Sequence, residues 1–210
     1  MKKYIFFILI ISSLSVKAQT LVRDDFKSGA FTLSETSVFD NKSQSGPHFQ
    51  AAPSALGGTR KVSYFKGSNP YNQKMSISVL TQQGAFVVSS GHKTMSNCEF
   101  TYGLNAQNNS NNTHIDLTKY KNLNIEFDGI NRALNFNITL FSYPNSAQAT
   151  WGENFVHTDN TFIRTIPIAK LLGARQSNFN SKDVGSISFV FNRATVVFGG
   201  SFAVKRIWFD

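Results

Sequence analysis

Residues 113–143, THIDLTKYKNLNIEFDGINRALNFNITLFSY, decide how the rest of the chain is read. Leu123, Ile125 and Phe127 alternate with Asn122, Asn124, Glu126 and Asp128, so a strand here is apolar on one face and wet on the other. Asp128-Gly129 is a turn signal. Beyond it Leu134, Phe136, Ile138 and Leu140 repeat the alternation against Asn135, Asn137 and Thr139. Ahead of both strands, Asp116 to Tyr120 reads as one short turn. Two half-buried strands are not stable alone, so the remaining chain must supply a second layer.

Working outward, Leu21 to Lys27 reads as a first strand, and residues 28–59 as a long Ser-, Gly- and Pro-rich loop with one short strand near Thr32 to Val38. Pro47 and Pro53 argue against a central strand in that loop, which Leu56-Gly57-Gly58 closes with a turn. Arg60 to Lys66 follows as a strand. Ser76 to Thr81 and Ala85 to Ser90 form a hairpin around Gln82-Gln83-Gly84, and Asn97 to Gly103 is another strand. Asn105 to Thr113 is an Asn-rich loop, and a further long loop is expected over 142–160. Thr161 to Ile168 is extended, with Pro167 marking an edge or a strand end, and Ala169 to Leu172 is one helical turn. Ser186 to Asn192 and Ser201 to Phe209 complete a set of about ten strands with almost no helix, the pattern of an all-β antiparallel sandwich.

At 210 residues the chain has room for one domain or two very small ones. Twenty Phe against two Trp indicate a core filled mainly with Phe rings. The first eighteen residues read as a cleaved targeting segment. Lys2 and Lys3 form its charged start, Tyr4 to Ile11 its apolar run, and Ser15-Val16-Lys17-Ala18 its small-residue cleavage site. This leader resembles bacterial Sec signal peptides with Ala-Gln junctions, and its apolar run is short for a membrane span. No Cys follows the cleavage site, so no lipid anchor is expected, and residues 19–210 are expected to form a single exported domain. That domain closes at Asp210 directly after its last strand, with no appended enzyme, sorting tail or membrane anchor expected.

The formal charge is +9; without Lys2, Lys3 and Lys17, 18 basic residues face 12 acidic ones, a net +6. That excess is spread along the chain, whereas a nucleic-acid footprint needs a patch or stripe, so no nucleic-acid partner is expected. The one cysteine, Cys98, excludes an intramolecular disulfide. Alternating with Phe100 and Tyr102, it reads as a small buried group in a strand rather than a catalytic thiol.

The run IDLTKYKNLNIEFDG, the long alternating strand after it, DVGSISFVF and the closing GGSFAVKRIWFD together resemble the jelly-roll, galactose-binding-like sandwiches found among carbohydrate-binding modules. There a "DLS-x-Y-x-x-L" turn leads into a central strand and the last strand lies beside the first. A second resemblance, carried by DDFKSGAF and ALGGTRKVSY, is to uncharacterised exported bacterial domains with an early "DDF" and an "LGG-x-R" strand entry. Acidic residues where first and last strands meet often hold a structural Ca²⁺ in the resembled modules, which makes Asp24, Asp25 and Asp210 a constellation to test. Here Lys205-Arg206 occupy the last strand, so ion pairs with Asp24 and Asp25 are expected in place of a metal, and no cofactor is expected.

Tyr143, Trp151, Glu153, Asn154, Phe155 and His157 are the candidate ligand-binding residues. Sugar rings present C–H faces that stack on aromatic planes, and amide and carboxylate side chains recognise their hydroxyls. The alternative for these rings is that they plug one end of the core. The stretch YFKGSNPYNQ (residues 64–73) resembles the "YFKAGVYNQ" strand of a jelly-roll alginate lyase family, but carries an extra residue and Pro70, and that family's partner strands are absent. The scattered His48, His92, His114 and His157 do not make a zinc site, and no G-x-S-x-G or H-E-x-x-H motif occurs. The function implied is that of an exported, non-catalytic module binding polysaccharide or cell-envelope glycan. Two alternatives stay open: a structural or adhesive surface protein with a protein partner, and a jelly-roll polysaccharide lyase or hydrolase. The oligomeric state is not specified.

Overall fold

Residues 21–35, 44–66, 69–104, 113–192 and 198–210 are described by a computed structural model. In chain order the strands are β1 (Leu21–Asp24), β2 (Phe31–Glu35), β3 (Gln44–Ala51), β4 (Thr59–Lys66), β5 (Met75–Leu80), β6 (Ala85–Tyr102) and β7 (Asn122–Ile130). They continue with β8 (Leu134–Ser142), β9 (Gln148–Phe155), β10 (Thr158–Pro167), β11 (Ala174–Arg175), β12 (Val184–Phe191) and β13 (Phe198–Phe209). Helix among the described residues is confined to α1 (Ile168–Leu171) and two 3-10 turns, Leu56–Gly58 and Leu117–Lys119. The result is an all-β sandwich of two antiparallel sheets, of jelly-roll class.

The decisive pair, β7 and β8, lie in opposite sheets and do not bond to each other. The first sheet runs β10-β7-β13-β6-β5-β2, with β1 on β13 beyond the end of β6. The second runs β3-β4-β6-β12-β8-β9-β11. Their shared strand is β6, whose early residues pair with β5 and β13 and whose later residues pair with β4 and β12. What reads in sequence as two strands, Ala85 to Ser90 and Asn97 to Gly103, is therefore one bent 18-residue strand. The bend falls where Gly91 packs so closely on the 69–73 turn that a Cβ there would sit 2.3 Å from Gln73 Cβ.

Gly129 is not the turn that Asp128-Gly129 announces. It stays within β7 at φ +81°, and the register of β7 slips there against both β10 and β13, which makes it a β-bulge. The chain reverses instead at residues 131–133. Two expected loops also carry strands. β3 lies in the 28–59 segment and tolerates Pro47 because it is an edge strand whose register against β4 shifts between Ser45 and His48. β9 lies in the 142–160 segment, its side chains alternating between exposed and covered. With β11 these bring the strands to thirteen among the described residues rather than about ten. The leader at 1–18 and nearly all of the Asn-rich loop fall outside the described residues. No helix among the described residues is long and apolar enough to cross a membrane.

The inward faces meet in a core of Phe rings. Phe136 on β8 is fully buried and stacks on Phe191 at 4.9 Å and on Phe189 at 6.1 Å, with Phe127 of the opposite sheet edge-on at 6.0 Å. Cys98 lies in this core, as its alternation predicts, and burial pushes its thiol far above the ordinary range, which keeps it in the protonated form.

First and last strands are neighbours, with Asp24 opposite Ile207. That register turns Asp24 into the core, away from Lys205 and Arg206, which pair instead with Asp128 (3.1 Å) and Glu126 (3.4 Å) on the outer face of the first sheet. The expected ion pair with Lys205-Arg206 is thus replaced by a fully buried one. Arg60 Nε and Nη2 donate to Asp24 Oδ2 and Oδ1 at 2.7 and 2.8 Å, a two-pronged fork. Tyr102 Oη donates to Oδ2 at 2.7 Å, the Phe26 amide to Oδ1 at 2.8 Å, and Arg60 Nη1 to Gln50 Oε1 at 3.0 Å. Burial, then the Asp24 carboxylate, holds the Tyr102 hydroxyl well above its usual range, so it remains a donor. Gly29, at φ +69°, passes so close that a Cβ would lie 2.9 Å from Ala51 O and 3.2 Å from Arg60 Nη1. The "DDF" and "LGG-x-R" segments are therefore two halves of one buried lock. Asp25 instead accepts from Ser54 Oγ, and Asp210 from the Asn122 and Asn124 amides, so the three carboxylates each have separate protein donors.

Candidate functional site

Apart from Arg60, Gln50 and Glu153, the inward residues of the second sheet are mostly apolar, so its outward residues, one step away along each strand, are where function is to be sought. The pairing registers line them up in rows. Lys61, Thr101, Ser188, Thr139 and Thr150 run side by side across β4, β6, β12, β8 and β9. The adjacent row is Ser63, Glu99, Val190, Asn137 and Gly152. Asn135 and Asn154 begin a third. Ser186, Ser188 and Val190 are only 5%, 2% and 6% exposed although they point out of the sandwich, so the middle of the face is recessed below its flanks.

At one end this hollow deepens into a cleft of about 460 Å³ lined by Lys61, Glu99, Thr101, Phe141, Tyr143 and Ser186, among others. Glu99 Oε1 accepts from Ser188 Oγ and from Thr101 Oγ1, which ties the carboxylate to the hydroxyls of the adjacent row. Along the other end the amides form a chain, Asn137 Nδ2 donating to Asn135 Oδ1 at 2.7 Å and Asn135 Nδ2 to Asn154 Oδ1 at 2.9 Å. Tyr143 stands at the mouth, 40% exposed, with its ring edge-on to His114 at 5.2 Å. His114 is itself held by Asp183, and the Tyr143 amide bonds the Asp183 carbonyl at 2.8 Å. Among the described residues, the chemistry on offer is a shelf of hydroxyls and amides, one carboxylate and one lysine, with Phe141 and Tyr143 supplying ring surface.

The six sequence-derived residues are divided by this geometry. Tyr143 is on the cleft and Asn154 on the same outer face. Trp151, Glu153 and Phe155 occupy the opposite side of β9, because residues on one strand alternate. Trp151 is half-buried against Phe136 at 6.2 Å, and Arg164 of β10 lies 5.9 Å from its ring and 2.6 Å from Glu153. These three side chains clasp the β9 edge of one sheet to the β10 edge of the other. His157 lies beyond β9, beside Asp159 at 3.1 Å. Sequence reasoning missed Lys61, Glu99, Thr101, Ser186, Ser188 and Asn137. The alternation was readable in each strand, but only cross-strand register shows that these polar positions share a row.

Replacing Trp151 by Ala is expected to lower unfolding stability by about 2 kcal/mol, less than the roughly 3–5 kcal/mol of a fully buried large ring, since Trp151 is only half-buried. Urea denaturation monitored by far-UV circular dichroism checks this; an unchanged midpoint would remove the clasp.

No protein-family profile matches the chain, and no curated protein matches it. Solved structures do. The family 11 carbohydrate-binding module of the cellulosomal cellulase Lic26A-Cel5E of Clostridium thermocellum aligns over 92% of this chain and 95% of its own, at 15% identity and TM-score 0.47. A family 11 module from the same organism, in complex with a beta-1,3-1,4-mixed-linked tetrasaccharide, aligns over 90% and 94%, at 14% identity and TM-score 0.44. A family 29 carbohydrate-binding module covers 70% of this chain and 85% of its own, at 9% identity and TM-score 0.37. At these identities and scores the likeness is one of chain path, and function is to be argued from the residues on the face.

Proposed function

We propose that the chain is an exported, non-catalytic glycan-binding module, its leader 1–18 removed and residues 19–210 forming a single domain. Polysaccharide or cell-envelope glycan lies along the outer face of the second sheet. The observation that carries this reading is the recessed shelf on which Lys61, Thr101, Glu99, Ser188, Thr139, Asn137 and Asn154 present donors and acceptors in register, with Tyr143 exposed at its end. A sugar chain is a ribbon of hydroxyls with apolar ring faces. Such a shelf satisfies the hydroxyls, and Tyr143 covers a ring. Tyr143 and Asn154 then contact ligand, while Trp151, Glu153 and Phe155 hold β9 in place. The absence of a second carboxylate among the described residues lining the cleft leaves Glu99 without the partner that a two-carboxylate hydrolase needs.

A glycan array with the mature chain identifies the ligand, and titration calorimetry with Tyr143→Ala tests the site. The expected result is a drop in affinity of about tenfold or more with unchanged circular dichroism. Wild-type affinity in Tyr143→Ala sets the cleft aside. New reducing ends after incubation with the bound glycan defeat the non-catalytic reading. Failure to bind any glycan favours the structural or adhesive alternative, whose best surface is the β10 edge, where Ile163 is 54% exposed.

A further inference from the structure

A second surface lies outside this shelf, where the 69–73 turn meets the bend of β6. Tyr71 is 53% exposed at the tip of the turn. The ring of His92, also exposed, is 6.1 Å away and tilted 32° from it. Lys93 Nζ is 3.4 Å from the Tyr71 hydroxyl and 5.4 Å from the ring centroid, so the ammonium sits toward the hydroxyl end and leaves much of the ring face open.

Both backbones carrying these side chains are fastened. Asn69, 1% exposed, spans the turn: its Nδ2 donates to Gln73 O at 2.9 Å, while its Oδ1 accepts from Gln73 N at 2.8 Å and Thr94 Oγ1 at 3.2 Å. Asn72 and Lys93 hold φ of +50° and +55°, conformations that cost a non-glycine residue energy. Gly199 passes so near the bend that a Cβ would lie 2.4 Å from Gly91 O. An aromatic plane, an imidazole and an ammonium are thus displayed on fastened backbone.

We propose that Tyr71, His92 and Lys93 form a second binding site, specific for the acidic sugar residues of a polysaccharide. A pyranuronate has a flat C–H face with a carboxylate at its rim, the complement of a ring face with an ammonium and an imidazole N–H at its edge. The ring stacks on Tyr71, and Lys93 Nζ and a His92 ring nitrogen donate to the carboxylate. Lys93 serves both as the charge that selects the anion and as the group that keeps the Tyr71 ring in one orientation. The site is distinct from the glycan shelf and does not depend on it.

The test uses the mature chain with oligomers of galacturonate and of glucuronate, their carboxyl-reduced neutral counterparts, and poly-glutamate as an anion without a sugar ring. Binding is measured by calorimetry for wild type, Tyr71→Ala, Lys93→Gln and Tyr143→Ala. Oligouronate binding should fall about tenfold or more in Tyr71→Ala and in Lys93→Gln, and stay unchanged in Tyr143→Ala. The neutral oligomers should not compete for it. Because Tyr71 and Lys93 are exposed, both variants are expected to fold, and circular dichroism confirms it. The proposal is overturned if neither oligouronate binds, if the Tyr71 and Lys93 variants bind as wild type does, or if the reduced oligomers compete equally. Equal binding of poly-glutamate, insensitive to Tyr71→Ala, overturns it in favour of an acidic protein partner.

Discussion

Replacing Arg60 by Leu is expected to destabilise the fold by about 3–5 kcal/mol, measured by chemical denaturation, because it strands the fully buried Asp24 carboxylate in the core. Asp24 would keep only the Phe26 amide and the Tyr102 hydroxyl of its present donors. Tyr102→Phe, which removes one donor and leaves the fork intact, should cost less, about 1–2 kcal/mol. Replacing the whole group, as Asp24→Leu with Arg60→Leu and Tyr102→Phe, should recover part of the loss, since a buried pair is often no more stable than packed apolar groups. A cost below about 1 kcal/mol for Arg60→Leu alone would show that the pair is hydrated in solution and not a lock. The consequence reaches the shelf. Arg60 and Tyr102 are chain neighbours of Lys61 and Thr101 on β4 and β6, so the lock holds the strands that carry one end of the polar row. It also ties β1, four residues long, to a sheet with which it forms no strand pairing.

A loss of similar size, about 3–5 kcal/mol, is expected for Phe136→Ala. Its ring meets Phe127, Trp151, Phe155, Phe189 and Phe191, so truncation opens a cavity touching both sheets and the β9 clasp. Phe136→Leu should cost less, since it leaves a smaller void. The comparison is made by denaturant midpoints at constant m-value; equal losses in the two variants would mean that the site collapses around whatever is placed there. Asn135 and Asn137, the neighbours of Phe136 along β8, face the shelf. Weakened packing beneath them should therefore also loosen the amide chain that runs to Asn154.

The alternation of Leu123 to Phe127 and Leu134 to Leu140 was enough to state a half-buried β-sheet protein, because the period of a strand is local and each residue's side is set by its parity in the chain. The Asp116 turn, the Gly57-Gly58 reversal, buried Cys98 and the adjacency of first and last strands were legible on the same grounds, or from the resemblance to jelly-roll sandwiches. Where reading stopped, the missing quantity was non-local. β3 and β9 hold polar, Pro- and Gly-containing sequences that are strands because a neighbour supplies their hydrogen bonds, which propensity does not record. Nothing near Asp24 says that its partner is Arg60, 36 residues on, rather than the basic pair beside it in the sheet. The register that turns Asp24 inward and Arg206 outward decides it. The six candidate residues lay close in sequence, yet odd and even positions of β9 look to opposite faces, so Asn154 joined the shelf and Trp151 and Glu153 the clasp. Each full row of the shelf draws one residue from each of five strands. Each strand's sequence determined its polar side; only their alignment across the sheet made those sides a single surface.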